Sequence, residues 1–441
     1  MGYPKFLIFY SVVLNRNRFT LILGDCEKFY NSCAVSPRVA ALQKFWWKKR
    51  GLLSDDPFVV ICSFVLQFGA VMSGCLANLL KLKTSTLYIK PVSEHAHQCV
   101  ERSYTDDLAA VGQTHDHAKE TSIIIEKGLS RGGFSIKKWI SSADFDPGGS
   151  DPGGEMAAPG STLSFGMKYF PKTDKYKFKI SLNLQAKKRG KKPKESEITT
   201  IEDFKKHLKD KGLSKRECIR LSHSVWDCLN LLYAIKVNLH LLYRTILIRQ
   251  PGMKWENKIS SEFHEEWIKV VQQILDIQDL EVDRCGLPKS YKVGGPISLI
   301  VFVDGSGNLS LAKSFARCPT DDDNLFDVSF ITSSFKLGEL GPNFAVKNEF
   351  IALILGTRLV EYLLHAWSNI TFTEILIMSD SKVVLGAVHS LHARLKLYYA
   401  EKTLEAQKVI LENKVKLFFC NSEDNLADPG SKLNLDVNHA L

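Results

Sequence analysis

Four acidic residues in the last third of the chain stand where a carboxylate is hard to keep unless something offsets its charge. Asp304 ends the apolar run SLIVFV and Asp380 follows the run EILIM, each of strand length. Glu349, in VKNEF, opens a stretch with helical periodicity, and Asp428, in NSEDNLADPGS, follows the short strand-like run VKLFF. One aspartate at a strand end is ordinarily a turn residue or a helix cap. Four acids at the ends of core elements pose a different problem, because burying a lone carboxylate is strongly unfavourable. A shared cation resolves it. Two Mg²⁺ ions held about 4 Å apart by such acids can cleave a phosphodiester, one activating water and the other stabilising the leaving oxygen.

The sequence around these acids predicts their scaffold. From about Gly295 strands and helices alternate, the sign of an α/β layer fold. SLIVFVDG, LSLAKSFA and DVSFITSSF predict three consecutive strands, and a helix is predicted from Val346 to Trp367. Strand EILIM, helix SKVVLGAVHSL, a second helix near Lys402 to Asn413 and strand VKLFF complete the set. Connections of this kind put strand carboxyl ends, and any ligand, at one sheet edge. The order strand-Asp, helix-Glu, strand-Asp, late Asp resembles the ribonuclease H fold. The stretch from NEFIALILGTRLVEYLL through MSDSKVVL to DNLADPGSK resembles the ribonuclease H region of BEL/Pao-type retrotransposon polyproteins. That resemblance implies catalytic and metal-ligating roles for Asp304, Glu349, Asp380 and Asp428, with two Mg²⁺ ions (or Mn²⁺) per site and an RNA/DNA hybrid as substrate.

A second set of carboxylates lies in the N-terminal half. Asp25 ends the strand-like run RFTLIL, and YTDDL supplies the adjacent acids Asp106 and Asp107. A helix is predicted from about His115 to Gly128, and GGFSIKKWIS as a Gly-punctuated turn into a strand. Two strand-end aspartates converging with a member of a hairpin pair is how a polymerase palm holds two Mg²⁺ ions. DCEKFYNSCAVSP, QFGAVMSG, YTDDL and GGFSIKKW resemble, in order, the catalytic segments of a BEL/Pao reverse transcriptase. The resemblance implies catalytic roles for Asp25, Asp106 and Asp107, with Asp25 and Asp106 as metal ligands. Only 24 residues precede Asp25, where the family has its fingers. Cys26 and Gly74 replace an aliphatic residue and a proline, and Asp227-Cys228-Leu229-Asn230 stands where an Asp-Pro-Leu-Gly turn is expected. A truncated copy that has lost polymerase activity is the expectation.

Charge locates a further partner. The formal net charge is +10, and the segment Lys168 to Arg216 alone carries 17 basic against 6 acidic residues. Such a concentration favours nucleic acid. Lys187, Lys188, Arg189, Lys191, Lys192 and Lys194 are the candidate phosphate contacts, although KKRGKKPK also reads as a solvated surface or a localisation-type run. YKFKISLNL predicts one strand before it. After it, Thr200 is placed to cap a helix, the apolar stretch Ser214 to Ile248 reads as one or two helices, and FHEEWIKVVQQILDI as another. The middle section, too, resembles the BEL/Pao region between palm and ribonuclease H.

Ten cysteines without a CxxC pair or zinc spacing read as reduced thiols, which points to the cytoplasm or nucleus. Phe58 to Leu82 is long enough to span a bilayer, yet Gln67 and Asn78 interrupt it and Gly69 and Gly74 punctuate it. It reads as a buried strand and a core helix, with no membrane partner. The expected fold is therefore a multidomain mixture of α/β and α+β. Residues 1–142 form a truncated palm, 143–160 a Pro/Gly linker containing DPGGSDPGG, 161–290 a basic, mostly helical connection, and 291–441 a ribonuclease H-like mixed sheet with flanking helices. The expected function is Mg²⁺-dependent endonucleolytic cleavage of the RNA strand of hybrids, attached to an incomplete RNA-directed DNA polymerase. Other parts of a retroelement polyprotein are possible partners. The competing expectation is a catalytically decayed nucleic-acid-binding or scaffold remnant.

Overall fold

A computed structural model describes residues 20–50, 54–67, 69–141, 162–164, 167–170, 173–180, 182, 184, 198–307, 309–322, 325–338, 344–390 and 395–431. The described residues up to Ser164 belong to one compact unit, and those from Lys175 onward to a second. The expected linker 143–160 lies outside the described residues.

The first unit is built from β1 (Thr20–Glu27), β2 (Lys44–Trp47), β3 (Val59–Cys62), α1 (Ser73–Tyr88), α2 (Glu94–Glu101), β4 (Asp107–Gly112), α3 (His115–Ser130) and β5 (Ser135–Ser141). β1 runs antiparallel between β4 and β5. Its Leu21, Ile22 and Leu23 are buried, and Ala118, Ile125 and Leu129 of α3 are buried too. Thr114 caps α3 by accepting from the His117 N–H.

The reading of Phe58 to Leu82 as a buried strand and core helix needs correction. β3 pairs with β2 alone, as a two-stranded ribbon whose Trp46, Trp47, Val59 and Val60 are exposed. α1 buries its polar side, Ser73, Asn78, Lys81, Thr84 and Ser85, and exposes Leu76, Leu79, Leu80 and Leu87. The polar side goes inward because its hydrogen bonds are made there: Lys81 Nζ donates to Ser103 Oγ and to the Thr105 carbonyl, and Ser85 Oγ lies 2.9 Å from His97 Nδ1. No helix among the described residues is long and apolar enough to cross a membrane.

The second unit begins with β6 (Lys175–Lys177) and β7 (Lys179–Ile180), so the single strand expected of YKFKISLNL is broken. The break has a cause. β6 pairs with β9 (Glu281–Asp283), whereas β7 pairs with β8 (Val225–Trp226), and the chain changes partner at Phe178. Thr200 caps α4 (Ile201–Lys211) as expected, and Asp203 reciprocates by accepting from the Thr200 N–H. The stretch from Ser214 becomes α5 (Lys215–Ser222) and α6 (Tyr233–Arg249). WDCLNLL between them is not helical: buried Asp227 accepts from the Leu232 N–H at 2.8 Å, and Asn230 adopts a left-handed φ of 51°. α7 (His264–Asp276) buries Trp267, Val270, Val271 and Ile274 against this layer.

The remaining elements are β10 (Ser298–Gly305), β11 (Leu309–Pro319), β12 (Phe326–Leu337), α8 (Ala345–Ala366), β13 (Glu374–Ser379), α9 (Lys382–His389), α10 (Leu397–Glu412), β14 (Lys416–Phe419) and the short α11 (Asp428–Ser431). The five strands form one mixed sheet in the order β12-β11-β10-β13-β14. β10, β11 and β12 are antiparallel neighbours, while β13 and β14 run parallel to β10. β10 is central, and Leu299, Val301 and Val303 along it are buried. α8 lies across β10 and β11, with Phe350, Leu353, Leu359, Val360 and Leu363 in the core. α10 starts at Leu397, five residues before the position the periodicity predicts.

Candidate active site

The register of the sheet sets the first two acids. β10 and β13 are parallel with Val303 opposite Ser379, so Asp304 and the residue after Ser379, Asp380, leave adjacent strand ends together. Asp428 enters from the start of α11, beyond β14. Carboxylate oxygens of Asp304, Asp380 and Asp428 lie within 4.8 Å of one another, with Asp304 only 4% exposed and the other two half-buried.

Glu349 is brought to this group by a close backbone approach. A Cβ on Gly305 would sit 2.3 Å from the Glu349 backbone nitrogen and 2.4 Å from the Asn348 carbonyl carbon, so only glycine lets α8 come this near. Glu349 stands outside the 4.8 Å group but within its field. Burial first, then the charges of Asp304, Asp380 and Asp428, push its carboxyl up to about 8, against the opposing Gly305 N–H. Its buried Oε2 has no hydrogen-bond partner among the described residues. Three clustered carboxylates and an orphaned fourth oxygen form an all-oxygen donor set with excess negative charge, which fits a hard divalent cation.

Several residues that hold the acids carry no motif of their own. Asn425, 1% exposed, donates to the Val303 carbonyl at 3.1 Å and to Asp380 Oδ1 at 3.2 Å, and its own Oδ1 accepts from the Ala427 N–H. It thus ties β10, Asp380 and the Asp428 loop together. Ser422 Oγ donates to Asp380 Oδ2 at 2.5 Å. Asn348, fully buried, donates its side-chain N–H to the Ser306 carbonyl at 2.7 Å, and its backbone carbonyl accepts from Ser310 Oγ at 2.8 Å, fixing the start of α8 to the turn after Asp304. All three are polar residues in segments that read as loop or helix surface. Their only sequence signal is proximity to the four acids.

In the first unit, Asp25 and Asp107 face each other across the β1–β4 pair. Asp106 sits in the Tyr104–Asp107 turn, which is closed by two backbone hydrogen bonds between its ends and anchored by Cys26 N–H donating to the Asp106 carbonyl at 2.9 Å. Burial and then the charge of Asp106 raise the Asp25 carboxyl, with Lys137 opposing. Behind the turn is Lys81, fully buried, donating to the Thr105 carbonyl at 2.7 Å and Ser103 Oγ at 2.8 Å. Burial pulls its amine down to about 8 despite nearby Cys26, Asp106 and Asp107. Asp25, Asp106 and Asp107 are therefore gathered at one end of this small sheet. Among the described residues, however, the only group offering three ligand atoms within 4.8 Å is Asp304, Asp380 and Asp428. Lys187, Lys188, Arg189, Lys191, Lys192 and Lys194 lie outside the described residues.

Residues 214–381 match a family model described as the Pao retrotransposon-like RNaseH-like domain. The match includes Asp304, Glu349 and Asp380 and ends before Asp428. No curated protein matches the chain. Among solved structures, the chain is similar to a foamy viral protease-reverse transcriptase in complex with an RNA/DNA hybrid, at 12% identity and a TM-score of 0.47, covering 93% of this chain and 45% of that one. It is also similar to a foamy viral protease-reverse transcriptase in complex with dsDNA (10%, TM-score 0.43, covering 93% and 70%). A third is the N-terminal RNase H domain of a Mycobacterium tuberculosis protein fused to maltose-binding protein (19%, TM-score 0.21, covering 29% and 86%). The chain spans less than half the length of the first of these. Over residues 214–381, less than half of its length, this chain is similar to the Pao retrotransposon-like RNaseH-like domain family.

Proposed function

We propose that the second unit is a divalent-cation-dependent nuclease that cuts the RNA strand of RNA/DNA hybrids. The observation that carries this reading is the convergence of Asp304, Asp380 and Asp428 at adjacent strand ends, with the Oε2 of Glu349, which has no partner among the described residues, beside them. Asp304, Asp380, Asp428 and Glu349 would hold two Mg²⁺ ions, or Mn²⁺ in their place. When bound, these supply water activation and stabilisation of the leaving oxygen. The chain's own contribution is to hold the acids still before substrate arrives. Asn425 and Ser422 fix the Asp380 carboxylate by donating to both its oxygens. Gly305 and Asn348 fix where Glu349 enters. A hybrid would be selected by backbone shape and 2′-hydroxyls, with bases largely unread. Lys187, Lys188, Arg189, Lys191, Lys192 and Lys194 would grip phosphates, giving an affinity that falls with salt.

In the first unit, Asp25, Asp106 and Asp107 are read as the acids of a reverse transcriptase palm. Their gathering at one sheet end supports that assignment, and polymerase activity of this chain is not part of the proposal. The deciding experiment incubates the purified chain with a labelled RNA/DNA hybrid, with Mg²⁺ or with chelator. The expected result is Mg²⁺-dependent cutting of the RNA strand, abolished by Asp304→Asn or Asp380→Asn with the melting temperature retained. A folded wild type that binds the hybrid and never cuts it favours the decayed-scaffold reading instead.

A further inference from the structure

Lys313 points from β11 into the protein and is only 7% exposed. Its Nζ donates to the Leu426 carbonyl at 3.0 Å and lies 4.9 Å from the Tyr233 ring centroid and 5.9 Å from that of Phe330. A methionine would fill the same space without desolvating a charge. What the amine adds is a charge-assisted hydrogen bond to a loop carbonyl and a cation–π contact. Tyr233, the first residue of α6, is fully buried and packs with Ala234, Leu311 and Ala427. Gly430 abuts the same ring: a Cβ there would meet Leu311 Cδ2 at 2.4 Å and Tyr233 Cε2 at 2.7 Å. Asp428 is therefore flanked on both sides by residues seated on this pair, Leu426 and Ala427 before it and Gly430 after it.

We propose that Lys313 and Tyr233 are positioning residues for Asp428, so that α6, which precedes the sheet in sequence, is a working part of the acidic site. The proposal rests on the reading of the four acids as a cation site. Its mechanical core, that this pair holds the Asp428 segment, can be measured without any metal. Lys313 does not touch a carboxylate of the site. It acts on the Leu426 carbonyl, and Tyr233 acts as the apolar floor against which Ala427 and Gly430 rest.

The test uses the full chain on an Asp25→Asn, Asp106→Asn background, so that neither expected metal ligand of the first unit contributes. Lys313→Met, Tyr233→Ala and Tyr233→Phe are compared with Ile274→Ala, a fully buried position in α7 that serves as a control for general destabilisation. Amide hydrogen exchange of residues 425–430 is followed in chelator, and Mn²⁺ affinity by calorimetry. Lys313→Met and Tyr233→Ala should speed exchange there about tenfold or more, the equivalent of one lost charge-assisted hydrogen bond. They should also weaken Mn²⁺ binding by about tenfold or more, as loss of a ligand's supporting contact does. Tyr233→Phe, which keeps the ring, should match the parent in both. If Lys313→Met alters neither exchange nor affinity beyond what Ile274→Ala does, the proposal is overturned. If the parent binds no Mn²⁺ but the exchange effect is present, the cation reading fails and the strut stands.

Discussion

Removing divalent cations should make the second unit less stable as pH rises, and Glu349 should be responsible. Its carboxyl is pushed from 4.5 to about 8 by burial and by three neighbouring aspartates. The folded state therefore keeps a proton that the unfolded chain gives up. Below the unfolded value both states are protonated and the residue contributes no penalty. Between 4.5 and about 8 the unfolded state binds fewer protons, so stability falls with pH, and above that window the penalty is complete. At about 1.36 kcal/mol per pH unit, the full window caps the loss at about 5 kcal/mol, and the interval from about pH 5.5 to about pH 7.5 at about 2.7 kcal/mol. For a unit of this size that corresponds to a fall in melting temperature of roughly 5–10 °C. The assay is thermal unfolding in chelator across this range, followed by tryptophan fluorescence. Mg²⁺ at about 100 times its Kd should restore about 2.7 kcal/mol and flatten the slope, because the cation selects the ionised carboxylates. Glu349→Gln keeps the shape and removes the titration. In chelator it should melt above the wild type near neutral pH, with little dependence on pH. Identical slopes for wild type and Glu349→Gln would refute the reasoning, since His207, whose imidazole burial holds below its ordinary value of 6.5, makes stability rise with pH and cannot supply the fall.

Three further outcomes follow from the same geometry. Asn425→Ala removes the donor shared by the Val303 carbonyl and Asp380 and should destabilise the unit by about 1–3 kcal/mol, with hybrid cleavage falling by more than the loss of folded protein explains; melts and single-turnover cleavage check it. Gly305→Ala places a Cβ 2.3 Å from the α8 backbone and should cost about 1–3 kcal/mol while raising the Mg²⁺ needed for half-maximal stabilisation, read from melts over a Mg²⁺ series. Neutralising Lys187, Lys188, Lys191 and Lys192 together should weaken binding to unrelated duplexes alike and reduce the slope of log affinity against log salt by roughly 0.9 per lost contact, measured by fluorescence anisotropy; an unchanged slope favours a solvated run.

The parts of this molecule that were legible in the sequence are those in which one chemical type recurs with a structural period. SLIVFV and EILIM read as strands from their length, so the acids after them were expected together at one sheet edge, where Asp304 and Asp380 lie. Thr200 and the acids of the following turn announced a helix start, and a reciprocal cap forms there. Periodicity failed where polar side chains go inward. In α1 the leucines spaced like a core face are outside, because Lys81, Ser85 and Asn78 occupy the interior and two of them are hydrogen-bonded there. The apolar WDCLNLL looked like helix, yet Asp227 diverts the chain by capping the turn into α6.

The supporting residues of the acidic site were invisible because no local signal marks them. A strand position such as Lys313, between Ala312 and Ser314, has every attribute of a solvent-facing lysine until the β11–α6 packing and the returning loop enclose it. Asn425 is one of several polar residues in a loop, and only the parallel register of β10 and β13 brings it against the Val303 carbonyl. Ligands are specified locally, by a carboxylate after a strand, and so can be read one segment at a time. Their positions are specified by contacts between segments more than a hundred residues apart, such as Lys313 with Leu426 and Val303 with Asn425. Conservative changes at those contacts should therefore damage the site while leaving every recognisable motif in place.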